Sequence, residues 1–168
     1  MSDATTNTLG LPTRGLPIGK MLPVTGSFAI PLVVTASLLS LNVVKTRIDN
    51  NTFQGEKSIS KDGKEAAGVK QPDGNTYDPL LIATRVHGNM MENMPITLVL
   101  AALAELNGAD RKKLTTILAA FCVIRIAHVV GLTRANQLAR AAGYFGTQFV
   151  QLGLVGWLGL LTKGYWGY

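Results

Sequence analysis

Arg85, His87, Asn89 and Glu92 set a guanidinium, an imidazole, an amide and a carboxylate close together, in a stretch that then turns apolar for long enough to cross a bilayer. Ionisable groups at membrane depth cost roughly 2.5–3.5 kcal/mol each to insert and are rarely idle there. Arg85, Asn89 and Glu92 follow i, i+4, i+7 spacing, which on a helix makes one stripe. Arg125 and His128, at i and i+3, make a second stripe further along the chain. Guanidinium forks match carboxylates, a carboxylate matches an ammonium, and an amide matches a peptide group. This stretch is where the chemistry of the chain is expected.

Four apolar segments must position these groups. The first runs from about 22 to 44 and closes at Lys45 and Arg47, with Pro31 either kinking it or marking its true start. At ~1.5 Å per residue it just covers a ~30 Å hydrocarbon core. The second runs from about 79 to 107, with Asp78 as cap, Pro79 at the first helical position and Asn107-Gly108 at the exit. A third follows an Asp110 cap over about 113–132, and a fourth covers about 141–161, ending in a belt of Trp157, Tyr165, Trp166 and Tyr168. A polar segment (1–21) precedes them, a polar loop (45–78) reads as a solvated or disordered connector, and an aromatic tail (163–168) closes the chain.

The linkers after the second and third segments are short, which forces antiparallel neighbours. The expected fold is all-α: an integral membrane, up-down-up-down four-helix bundle. In that topology the second segment starts and the third ends on the same side. Arg85, His87, Asn89 and Glu92 therefore gather with Arg125, His128, Arg134 and Arg140 in one polar pocket, with Glu92 and Arg125 at similar depth and able to neutralise each other.

Composition agrees with the class. Of 168 residues 47% are hydrophobic and 15% charged, against about 25% charged in a typical soluble domain. The net charge of +6 is scattered among loops and helix ends with no basic face interleaved with aromatics, so no nucleic acid is expected as a partner. Cys122 is the only cysteine, which excludes a disulfide framework and a cysteine zinc site. The two histidines and Glu92 lack an H-x-x-x-H or similar pair, so no metal is expected. The first twenty residues match neither a secretory signal nor a transit peptide, which leaves the first span as the expected insertion signal.

Arg85-x-His87-x-Asn89-x-x-Glu92-Asn93-x-Pro95, followed by Ala104-Glu105-Leu106-Asn107-Gly108, resembles the second helix of the MAPEG family, the membrane-associated proteins in eicosanoid and glutathione metabolism. Asp78-Pro79-Leu80-Leu81 and the run from Arg125 to Leu132 resemble the same family, and the likeness extends over residues 22–162. The resemblance implies a homotrimer with glutathione sites between adjacent subunits. It implies glutathione ligands at Arg85, Asn89 and Glu92, and His87 matches a histidine of the prostaglandin E synthase branch. Arg125 and His128 match the arginine and polar position of the third helix. The family's thiol-activating arginine lies just beyond that helix, and Arg140 is its first match here, Arg134 its second. The chain departs from the eicosanoid-forming members in carrying Leu132 where they have a tyrosine and His128 where they have another aromatic.

The resemblance further implies a multi-pass protein of the endoplasmic reticulum or a mitochondrial membrane, or of the bacterial inner membrane in a prokaryote. It would bind glutathione as ligand or co-substrate and act as a glutathione S-transferase or peroxidase on a lipophilic electrophile from the bilayer. The alternative is a non-catalytic subunit of the same fold, with a structural or binding role in a larger membrane complex. Individual residues keep a second reading. Glu92 with Arg125 reads equally as an ion pair that only fixes packing, His87 as a solvated or capping side chain, His128 as a hydrogen-bond donor to a helix-end carbonyl, and Arg134 as a contact to lipid headgroups. Gly143, Gly146, Gly153, Gly156 and Gly159 recur at multiples of three and read as a packing surface, within the bundle or against another protein.

Overall fold

The computed structural model describes residues 22–50, 52, 69–70, 76–134 and 136–166. Four helices carry the fold: α1 (Pro23–Asp49), α2 (Pro79–Leu106), α3 (Arg111–Thr133) and α4 (Gln137–Thr162). Short connections join α2 to α3 and α3 to α4, so these three alternate in direction, and α2 and α3 each pack on all three of the other helices. A short 3₁₀ turn, Lys163–Trp166, closes the described chain. Most of the 45–78 connector lies outside the described residues. Its described end is a two-stranded antiparallel ribbon, β1 (Val69–Lys70) with β2 (Thr76–Tyr77), which composition alone does not foretell.

The helix ends follow from local chemistry. Asp78 accepts hydrogen bonds from the backbone N–H groups of Leu80 and Leu81, Asp110 from Lys113, and Asn136 from Ala139, each satisfying a donor that has no partner inside its helix. At the exit of α2, Gly108 adopts a φ of 83°, and the Ala109 N–H closes back onto the Ala104 carbonyl at 2.9 Å. A side chain would be strained in that left-handed conformation, which is why Asn107-Gly108 ends the helix. Pro23 occupies the first turn of α1, and Pro31 lies inside the helix rather than at its start.

Leu22, at the N-cap of α1, offers no side-chain bond. The cap comes from another helix. Glu105, near the end of α2 and only 8% exposed, accepts from the backbone N–H of Val24 at 2.9 Å and of Thr25 at 2.8 Å. A carboxylate on helix-start amides gains charge-assisted hydrogen bonds and a favourable dipole interaction.

Two apolar clusters hold the bundle. One joins Leu32 and Ala36 of α1, Met90 and Met94 of α2 and Phe121 of α3; the other joins Ala101, Leu114, Leu118 and Leu154. Met91, between the two buried methionines, faces outward. The stretches Pro23–Asp49, Arg111–Thr133 and Gln137–Tyr165 are each long and apolar enough to cross a membrane. Little of α1 and α4 is covered inside the bundle, and Ile30, Leu38, Phe149 and Leu152 stand outward as lipid-facing side chains do. Of the four expected spans, α2 is the exception by hydropathy, because its first half carries Arg85, His87, Asn89, Glu92 and Asn93.

Candidate functional site

The start of α2, the end of α3 and the start of α4 enclose a cleft of about 650 Å³. From α2 it receives Thr84, Arg85, Asn89 and Glu92; from α3, His128 and Leu132; from α4, Gln137, Arg140 and Tyr144. The i, i+4, i+7 stripe thus faces one space, joined by Arg140 from across the bundle. A smaller compartment of about 210 Å³ adjoins it, sharing Arg85, Leu132, Gln137 and Arg140 and adding Tyr77, Leu81 and Ile82.

Arg125 lies behind the cleft rather than in it. It is 2% exposed, donating through Nη2 to Asn89 Oδ1 at 2.8 Å and through Nη1 to Thr147 Oγ1 at 3.4 Å, while its Nε has no partner among the described residues. The expected neutralisation by Glu92 does not occur: among the described residues no carboxylate pairs with Arg125. Asn89, one turn nearer the start of α2, meets the guanidinium first, and Glu92 stays exposed on the cleft side. Spacing sets the depth of a residue along its helix, but not the direction in which the helix turns it.

The Arg125–Asn89 bond also sets the amide's orientation. A guanidinium has only donors, so the oxygen of Asn89 turns toward it and the NH₂ is left to donate elsewhere. Since Asn89 lines the cleft, that donor belongs to the site.

His128 is buried, its Nδ1 3.0 Å from the Arg140 carbonyl oxygen. A carbonyl only accepts, so Nδ1 carries the hydrogen, and in the neutral ring Nε2 keeps its lone pair. Arg140 itself is exposed, with Nη2 on Gln137 Oε1 at 3.0 Å. The backbone of α4 comes this close because of two glycines. A Cβ on Gly143 would overlap the His128 backbone, and one on Gly131 would overlap the Arg140 backbone. Gly146 also lies against α3, at Ile124. A Cβ on Gly153, Gly156 or Gly159 would meet nothing within 4 Å among the described residues, so the glycine repeat is two surfaces and not one.

Besides Arg125, two further residues named from the sequence stand apart from the cleft. His87 is half-buried with Nδ1 lacking a partner, on a different face of α2. Arg134 is the exposed C-cap residue of α3. Conversely, Thr84, Gln137 and Tyr144 line the cleft without having been singled out. Tyr144 carries a readable signal, since it comes four residues after Arg140 and so shares its helical face. It brings a phenol into a cleft where Leu132 stands in place of the tyrosine that the resemblance leads one to expect.

No curated protein and no solved structure matches the chain. The sequence profile of the MAPEG family matches residues 25–160, which takes in nearly the whole four-helix bundle and every residue of the cleft. The chain belongs to the MAPEG family and is a membrane protein of the eicosanoid and glutathione metabolism type.

Proposed function

We propose that the cleft binds glutathione and that the protein is a glutathione S-transferase or peroxidase acting on a lipophilic electrophile. The observation that carries this reading is the convergence of Arg85, Asn89, Glu92 and Arg140 on one space of about 650 Å³. Two guanidinium groups against one carboxylate leave the cleft a surplus of one positive charge, 2 − 1, with His128 neutral. Glutathione, with two carboxylates, one ammonium and a neutral thiol, carries the opposite surplus. The volume lies within the ~300–1,000 Å³ typical of small-molecule sites.

In this reading Arg85 holds a carboxylate, Glu92 the ammonium, and the NH₂ of Asn89 a peptide or carboxylate oxygen. Arg140 stabilises the thiolate, which is the nucleophilic form of a thiol whose free pKa is ~8.5. Tyr144 supplies a second donor beside it. The sulfur then attacks the electrophilic carbon, the bond to the leaving group breaks, the leaving group departs as an anion and the thiol proton passes to water. The smaller compartment, with Leu81, Ile82 and Leu132 as its apolar wall, is the natural seat for the electrophile. Arg85 and Glu92 are exposed on a single chain, and an adjoining copy in a trimer would cover them from lipid.

The test is calorimetric titration of the detergent-purified protein with glutathione. Saturable binding is expected, and Arg85→Ala with Glu92→Gln should abolish it. No saturable binding by the wild type would overturn the proposal. Leu132 favours a second reading, a non-catalytic binding subunit. That reading predicts intact glutathione binding, no conjugation of a halodinitrobenzene, and co-purification in a large complex instead of a mass of about three chains.

A further inference from the structure

The opposite end of the bundle carries a feature the cleft does not use. Between α3 and α4, on the outer face, runs a groove of about 560 Å³ bordered by Lys113, Thr116 and Ala120 on one side and Phe149, Gly153 and Trp157 on the other. Lys113, Thr116 and Ala120 have i, i+3, i+7 spacing, so the groove lies along the helix axes for about 10 Å. That is two-thirds of the ~15 Å hydrocarbon depth of one leaflet. Its floor at Gly153 is open, with nothing within 4 Å of where a Cβ would stand. Unlike Gly143, this glycine serves no close helix approach among the described residues, yet glycine inside a helix costs up to ~1 kcal/mol relative to alanine.

The two ends of the groove differ. Phe149 and Ala120 close the deep end, toward the middle of the spans. Lys113 and Trp157 flank the shallow end, where α3 begins and α4 finishes. Exposed Arg111, Lys112 and Lys163 belong to that same end, against Asp110 and the buried Glu105, a surplus of two positive charges (4 − 2) among the described residues. An apolar trough parallel to the membrane normal, headed by cations and an indole at the boundary, has the layout of one phospholipid: chain below, phosphate above.

We propose that this groove is a binding site for an anionic phospholipid, with one acyl chain over Gly153 and the phosphate at Lys113. A second copy meeting this groove face to face is the poorer occupant, because it would bring two clusters of Arg111, Lys112 and Lys113 together and like charges resist it. A neighbour in a ring of three would instead present a different face, and the oligomeric mass of the Gly153→Leu variant separates that case from a lipid. The proposal is independent of glutathione binding, which concerns the other end of the bundle.

The test is native mass spectrometry of the whole protein titrated with phosphatidylglycerol and, separately, with phosphatidylcholine of the same chains. A one-lipid-per-chain adduct is expected, favouring phosphatidylglycerol at least tenfold. Neutralising Arg111, Lys112 and Lys113 with glutamine should weaken it by about fivefold per cation, following the ~1 kcal/mol that a basic residue contributes at an anionic surface. Gly153→Leu should displace the lipid by filling the trough. Because none of the described atoms lies within 4 Å of a Cβ placed there, the helical circular dichroism and the oligomeric mass should stay unchanged, and Gly153→Ala should act in the same direction more weakly. Equal binding of the two lipids would overturn the proposal, as would phosphatidylglycerol binding unaffected by Gly153→Leu. A change of oligomeric mass on Gly153→Leu would assign the groove to a protein neighbour and overturn it equally.

Discussion

Arg125 donates to the side-chain oxygen of Asn89 at 2.8 Å from a position 2% exposed. The bond joins α3 to α2 directly behind the cleft and turns the oxygen of the Asn89 amide toward Arg125. A buried cation bonded only to neutral groups is an expensive element, and removing a partner exposes the cost.

Asn89→Leu should therefore destabilise the protein by about 2–3 kcal/mol, because it strands a guanidinium that is buried and already lacks a partner at Nε. Thermal unfolding in detergent measures this. Asn89→Asp should behave oppositely, retaining or raising stability by giving Arg125 a carboxylate, while losing the NH₂ and with it roughly tenfold or more of glutathione affinity. Equal losses of stability in both variants would refute the assigned orientation.

Glu105 bonds to two backbone amides of α1 across a separation of some eighty residues in sequence. Glu105→Ala should cost about 1–3 kcal/mol, the range for hydrogen bonds to a charged group and a lost helix cap. Hydrogen exchange gives the sharper signature: the first turn of α1 should lose protection while α3 and α4 keep theirs. A uniform loss would mean that Glu105 does something other than cap.

The glycines of α4 should split into two groups. Gly143→Ala, and Gly131→Ala across from it, force backbone against backbone at His128 and Arg140, and should lower the unfolding temperature by several degrees or prevent recovery of folded protein. Gly159→Ala, with open space around it, should be neutral or stabilising by up to about 1 kcal/mol. Thermal scans of the three single variants compare them directly.

Tyr144→Phe should leave glutathione binding nearly intact and lower kcat at least roughly tenfold, since it removes one donor from the reacting end of the cleft and little else. Loss of binding and turnover in parallel would make Tyr144 a ligand contact only.

Legibility in the sequence depends on the kind of information each feature needs. Periodicity and caps are local, so Asp78-Pro79, Asn107-Gly108, Asp110 and the four-helix layout can be read directly. So can the Arg85, Asn89, Glu92 stripe, because helical spacing alone puts these residues on one face. The depth of Arg125 is also readable, since it depends only on position along α3. Its choice of Asn89 and Thr147 over Glu92 is not, because that depends on how each helix is rotated about its axis. Glu105 as the cap of α1 is hidden for a related reason: a long connector separates the two partners, and nothing in either segment announces the other. The glycine repeat looks uniform because sequence shows where side chains are missing, not what stands opposite. Gly143 faces His128, whereas Gly153 faces the groove.

The Glu105 cap has a consequence for the connector between α1 and α2. The start of α1 is registered against the end of α2 by a carboxylate and two amides, and its middle by Leu32 and Ala36 against Met90 and Met94. The covalent link at the other end is thereby relieved of any duty in aligning the two helices. Insertions or deletions ahead of the 69–77 ribbon should leave the geometry around Arg85 and Asn89 untouched, whereas Tyr77, which borders the smaller compartment, and Asp78, which caps α2, stay under the same constraint as the bundle.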